Sequence, residues 1–219
     1  MSAARSRGMP RRTTELSPGR RVPGVVIGIA VGVIVVLAAV VAILLTSGTG
    51  TAAAEPAPRL AVSGAALPTL PTEGSDPAIG MTLPTLTGTG PDGAAVVIGP
   101  TGAPQIVAVV AHWCSHCQAE VPRIVAWLRD NSLPGGVTIT TLSTSIDPAR
   151  PNYPPSSWLA REGWTAPVLT DDAASSGLAA LGIPSFPGFV FVHGDGTVAG
   201  RMVGELDPDQ LAAIAATLH

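Results

Sequence analysis

The chain has two cysteines among its 219 residues, Cys114 and Cys117, and their separation limits what they can be. A disulfide between positions three apart closes a very small ring, which removes little entropy from the unfolded chain and makes a poor structural staple. A dithiol that opens and closes is the better reading. Before the pair, the apolar run 106–111 reads as a strand buried on both faces; after it, Val121, Ile124, Val125 and Leu128 recur at helical spacing. The cysteines therefore lie where a strand hands over to a helix. There, unpaired N–H groups and the positive end of the helix macrodipole favour an anionic sulfur at Cys114. His116 adds a donor or a positive charge between the two sulfurs, and Trp113 covers one side. A thiolate stabilised in this way belongs to a comparatively oxidising couple.

Metal binding competes with this reading, because His112, Cys114, His116 and Cys117 fall within six residues. Zinc sites normally join two separated ligand pairs, and beyond this cluster only His193 and His219 remain. A copper- or zinc-carrying thiol protein is thus the alternative to redox chemistry. His112 by itself reads as a surface residue or one supporting the site from behind.

The elements that must position the pair follow an α/β order. Residues 137–142 read as a second buried strand. Helical stretches at 156–161 and 173–181 flank a short strand at 167–169, and strands at 189–192 and 197–203 meet across the turn His193-Gly194-Asp195-Gly196. Asp207, with Pro208 at the first helical position, caps a last helix. Pro122 lies in the second turn of the helix after the cysteines and should kink it. This order predicts a mixed sheet flanked by helices.

Residues 25–45 contain no charged or strongly polar side chain, and as a helix they would span about 31 Å, close to the hydrocarbon thickness of a bilayer. All 12 basic residues of the chain are Arg, and six precede this segment against one acid, Glu15. The positive-inside rule then places residues 1–24 in the cytoplasm as an Arg-rich tail and everything after 45 outside, with 25–45 a single transmembrane helix. A cleaved signal peptide is the rival, since Ala52-Ala53-Ala54 resembles a processing site. Residues 46–76, rich in Pro, Ala and Thr, read as a flexible tether, and 77–219 as the extracytoplasmic domain. Beyond the basic tail, six Arg stand against 14 Asp plus Glu, a net of −8. An acidic domain with few aromatics carries no footprint for nucleic acid.

The stretch from Trp113 to Pro122 resembles the W-C-x-x-C-x-x-E-x-P pattern of the thioredoxin-like family, in its membrane-tethered TlpA and ResA-like branch. Met81-Thr82-Leu83-Pro84 through Pro91-Asp92-Gly93 is similar to the strand and turn that open such domains. Leu181-Gly182-Ile183-Pro184-Ser185-Phe186-Pro187 is similar to the segment ending in the family's cis-proline. The resemblance implies a thioredoxin-like fold, with Cys114 as exposed nucleophile and Cys117 as buried resolving thiol. It further implies a cis Pro187 against the sulfurs, a Phe186 backbone that hydrogen-bonds an extended substrate, and Glu120 as a group handling the proton of the resolving thiol. A solvated helix-face carboxylate is the other reading of Glu120.

Two departures stand out: Ala108 occupies the place of the usual buried acid, and Ser-His between the cysteines is closer to the Pro-His of DsbA-like oxidases. The reading is an extracytoplasmic thiol–disulfide oxidoreductase that needs no cofactor. It would act on thiols or disulfides of exported proteins with a membrane or extracytoplasmic redox partner, in a direction left open. A peroxiredoxin-type peroxidase is a weaker alternative, since Ala111-His112-Trp113 replaces that family's approach to its cysteine.

Overall fold

The computed structural model describes residues 60–219. The tail, the proposed transmembrane segment and the first part of the tether lie outside the described residues. Among the described residues no helix is long and apolar enough to cross a membrane.

The centre of the domain is β4 (Gln105–Val110), whose six residues are all buried, as a run of Ile, Val and Ala between two covered faces requires. It pairs in parallel with β5 (Thr138–Ser143) and antiparallel with β7 (Gly188–Val192). β6 (Val168–Thr170) and β8 (Val198–Val203) complete a mixed sheet of order β6-β5-β4-β7-β8. Alternate side chains of β4 feed two separate cores. Ile106, Ala108 and Val110 face α1 (Ser115–Asp130), α2 (Pro155–Glu162) and α4 (Pro208–Ala215), packing with Val121, Ile124, Trp158 and Leu211. Val107 and Val109 face the other way, towards Leu181 of α3 (Ser176–Leu181) and towards Leu86 and Ile98.

Leu86 and Ile98 belong to a second, antiparallel sheet of β1 (Ala61–Ser63), β2 (Thr85–Thr89) and β3 (Ala95–Ile98). The turn between β2 and β3 is set by Asp92, which accepts the Ala94 N–H at 3.0 Å, and by Gly93 at φ 79°. The hairpin between β7 and β8 closes in the same manner, with Asp195 accepting the Thr197 N–H at 2.9 Å. Asp207 caps α4 through the Asp209 N–H, ahead of Pro208. α1 continues through Pro122, which removes one ladder bond without ending the helix.

One boundary differs from the compositional reading. Residues 60–76, assigned above to the tether, are packed onto the domain. β1 pairs with β2, Leu67 is buried, and the Leu67 and Leu70 N–H groups donate to Ala180 O at 2.9 Å and Gly182 O at 2.8 Å. Asp76 pairs at 2.6 Å with Arg201, whose side chain is wholly buried. That guanidinium also donates to the carbonyls of Pro68 and Leu181, both at 2.8 Å, and of Gly182 at 3.2 Å. Proline and small residues suggested mobility here, yet three fixed backbone acceptors and one carboxylate satisfy a buried cation that would otherwise be untenable.

Candidate active site

Cys114 is the N-cap of α1, with extended backbone (φ −75°, ψ 120°), and its sulfur accepts the Cys117 N–H at 3.5 Å. The strand-to-helix handover thus places Cys114 half-buried at the rim of the sheet and Cys117 one turn deeper, fully buried. Both are free thiols. Cys117 packs into the same apolar cluster as Ala108, Val110 and Phe189, so the place of the buried acid is a hydrocarbon wall. That burial, first of all, pushes the Cys117 thiol far above its ordinary 9.0; hydrogen bonding to Cys114 and the charges of Cys114 and Glu120 act in the same direction.

The Phe186-Pro187 peptide is cis, and the Phe186 carbonyl stands 3.6 Å from Cys114 Sγ as an acceptor of its S–H. Trp113 closes the other flank. Its indole meets the Phe186 ring edge-on at 6.0 Å, its Nε1–H donates to Ser145 O at 2.7 Å, and the Arg150 guanidinium lies 4.7 Å above it.

Glu120 is buried, so the solvated-carboxylate reading is set aside. One oxygen accepts the Leu206 N–H at 2.9 Å and the other pairs with Arg123. Arg123 also reaches Glu205 at 2.5 Å, and Glu205 in turn meets His116 Nδ1 at 2.7 Å. His116, with a side chain 69% exposed, is therefore held at the surface by an acid. The His116 hydrogen bond and then the Arg123 charge keep the Glu205 carboxyl below its ordinary range. Arg123 was legible as the i+3 neighbour of Glu120; Glu205, distant in sequence, carried no signal.

His112 departs from the surface reading. It is completely buried, with Nδ1 2.7 Å from Pro151 O and Nε2 accepting the Asp147 N–H at 3.2 Å. Both ring nitrogens are thus engaged by the backbone of the 147–151 segment. The ring has no nitrogen left for a metal, so the four-residue ligand set at the cysteines is not assembled. Among the described residues no group of three or more His, Cys, Asp or Glu side chains converges to hold a metal ion.

No protein-family model and no curated protein sequence matches the chain. Solved structures do. The thioredoxin domain of a thiol-disulfide oxidoreductase from Bacteroides vulgatus superposes with a TM-score of 0.50 at 22% identity, covering 62% of this chain and 94% of that one. The domain has a thioredoxin-like fold. A thiol:disulfide interchange protein of the thioredoxin family from Chlorobium tepidum gives the same TM-score of 0.50 at 22% identity, covering 61% of this chain and 92% of the other. A putative DsbE from the same organism matches at 18% identity and a TM-score of 0.50, over 63% and 97% of the two chains. Within this thioredoxin-like domain, Trp113, Cys114, Cys117, Phe186 and Pro187 come together beyond the C-terminal end of the central strand β4, where β7 begins. His116 and Glu120 lie on the first turns of α1, joined through Glu205 and Arg123.

Proposed function

We propose that the domain catalyses thiol–disulfide exchange through Cys114 and Cys117, outside the cytoplasm and tethered to the membrane by residues 25–45. The observation that carries this reading is the asymmetry of the two sulfurs. Cys114 is reachable, capped by a backbone N–H and set against the cis-peptide carbonyl of Phe186, whereas Cys117 is buried one helical turn below. A substrate disulfide can be attacked only by the first sulfur, and only the second is placed to resolve the product.

In the reducing direction the Cys114 thiolate attacks one sulfur of the substrate disulfide, forming a mixed disulfide and expelling the other substrate sulfur as a thiolate that takes up a proton. Cys117 then gives up its proton and attacks Cys114 Sγ. The second substrate thiol leaves, and the two electrons of the dithiol have passed to the substrate. The oxidising direction is the reverse. Cys117 meets an apolar wall where Ala108 stands, so its proton must leave by another way. A carboxylate whose charge acts on Cys117 is that of Glu120, which is joined through Arg123 and Glu205 to the exposed His116.

His116, as a donor between the sulfurs, favours an oxidising couple, and the Glu205 carboxylate bonded to it brings a negative charge that works the other way. We therefore place the potential between the two extremes of the fold. Equilibrating the full-length protein in glutathione and dithiothreitol buffers tests this. A reversible two-electron couple between about −120 mV and about −270 mV is expected. Absence of any reversible couple would remove the proposal.

A further inference from the structure

Between β5 and α2, residues 144–154 run beside the cysteines and are fastened to them by side chains outside the exchange chemistry. Trp113 Nε1–H donates to Ser145 O at 2.7 Å, the Asp147 N–H donates to His112 Nε2 at 3.2 Å, and His112 Nδ1 lies 2.7 Å from Pro151 O. Asn152 Nδ2 donates to His112 O at 3.4 Å and is itself oriented by Arg161, which donates to Asn152 Oδ1 at 2.9 Å. Ser145 and Asn152 are held at φ 51° and 62°, left-handed values that non-glycine residues keep only where their surroundings dictate them. The loop is therefore a fixed wall beside the nucleophile, and a buried histidine serves as its bolt.

The outer surface of that wall is Arg150. A continuous series of contacts runs from Cys114 Sγ to the Phe186 carbonyl at 3.6 Å, from the Phe186 ring to Trp113 at 6.0 Å, and from the indole to the Arg150 guanidinium at 4.7 Å. Trp113 and Arg150 are thus the surface next to Phe186, within two side chains of the reacting sulfur. The other basic side chains bordering the site are engaged: His116 by Glu205, and Arg123 by Glu120 and Glu205. Besides its backbone N–H, which donates to Asp147 O at 3.0 Å, Arg150 meets the Asp147 carboxylate through Nε at 3.6 Å, and among the described residues its two terminal nitrogens have no hydrogen-bond partner. Asp147 is itself committed to the loop, accepting the Ala149 N–H at 2.9 Å. A guanidinium held over an indole at 4.7 Å keeps terminal N–H donors to offer; their fork binds a carboxylate more strongly than a neutral amide, and their charge repels a cation.

We propose that residues 144–154 are the substrate-recognition wall of the site, and that Arg150 selects extended polypeptides carrying an Asp or Glu beside the reacting cysteine. This rests on the exchange reading above and adds a substrate class to it.

The test uses reduced full-length protein and three synthetic peptides. Each has one cysteine in mixed disulfide with 2-mercaptoethanol and differs only in the neighbouring residue, Glu, Gln or Lys. Hydroxyethyl disulfide, small and uncharged, is the control. In each peptide reaction the Cys114 thiolate bonds to the peptide sulfur and expels 2-mercaptoethanol; Cys117 then releases the peptide thiol. The Glu peptide should react about three to five times faster than the Gln peptide, as an exposed ion pair allows, and the Lys peptide slowest. Arg150→Gln should abolish that difference and Arg150→Lys retain part of it, with the rate on hydroxyethyl disulfide unchanged in both. Equal rates for the three peptides on the unsubstituted protein, or a preference that survives Arg150→Gln, would overturn the inference and leave exchange standing. No reaction with any of the four disulfides would remove the exchange reading and this inference together.

Discussion

At the scale of single residues, the two cysteines differ by one helical turn and by their surroundings. Cys117 has hydrocarbon on the side where Ala108 stands, so desolvation holds its thiol protonated well above the ordinary 9.0. A group whose folded value exceeds its unfolded value contributes stability that is fully present below the unfolded value and is lost as pH rises through the folded one. The melting temperature of the reduced protein should therefore hold steady to about pH 9 and fall above it. The Cys117→Ser variant should lack that fall. Calorimetry across pH 7 to 11 on the two proteins checks this; parallel curves would mean that Cys117 is not desolvated as described.

At the scale of elements, the second sheet and the strap of residues 64–76 that follows β1 hold the segment that carries Pro187. Arg201 of β8 sits at the junction, bonded to Asp76 and to the carbonyls of Pro68, Leu181 and Gly182. A Cβ on Gly182 would lie 2.4 Å from Pro68 O, so the strap and the start of this segment fit only with glycine there. Arg201→Ala would leave Asp76 and three carbonyls without their partner and should destabilise the domain by about 3 kcal/mol in urea unfolding. Amide exchange at Leu67 and Leu70 should rise with it. Full protection at those two amides in the variant would show that the strap does not depend on Arg201.

The central strand, α1, the hairpin at 193–196 and the Asp207 cap were all legible, because each carries a local signal: a buried apolar run, helical spacing, turn residues or a capping pair. The strap was not. Its order comes from one buried guanidinium far along the chain, and its own composition argues for mobility. The wall at 144–154 was hidden for a similar reason, since His112 binds it through backbone groups, which leave no trace in residue type. Glu205 likewise reaches His116 only through the fold.

At the scale of the whole molecule, two apolar cores back a five-stranded sheet, and the chemistry-bearing groups gather beyond the C-terminal end of its central strand. The chain beyond the basic tail is acidic, six Arg against 14 acids, while the face beside Cys114 presents Arg150 on Trp113. The central claim is a division of labour: an accessible attacking sulfur and a buried resolving one. Mixed-disulfide trapping tests it most directly. With a peptide disulfide as substrate, Cys117→Ser should accumulate a covalent adduct at Cys114, visible by mass spectrometry and released by dithiothreitol. Cys114→Ser should form none. Adducts forming equally on both variants, or on neither, would contradict the account.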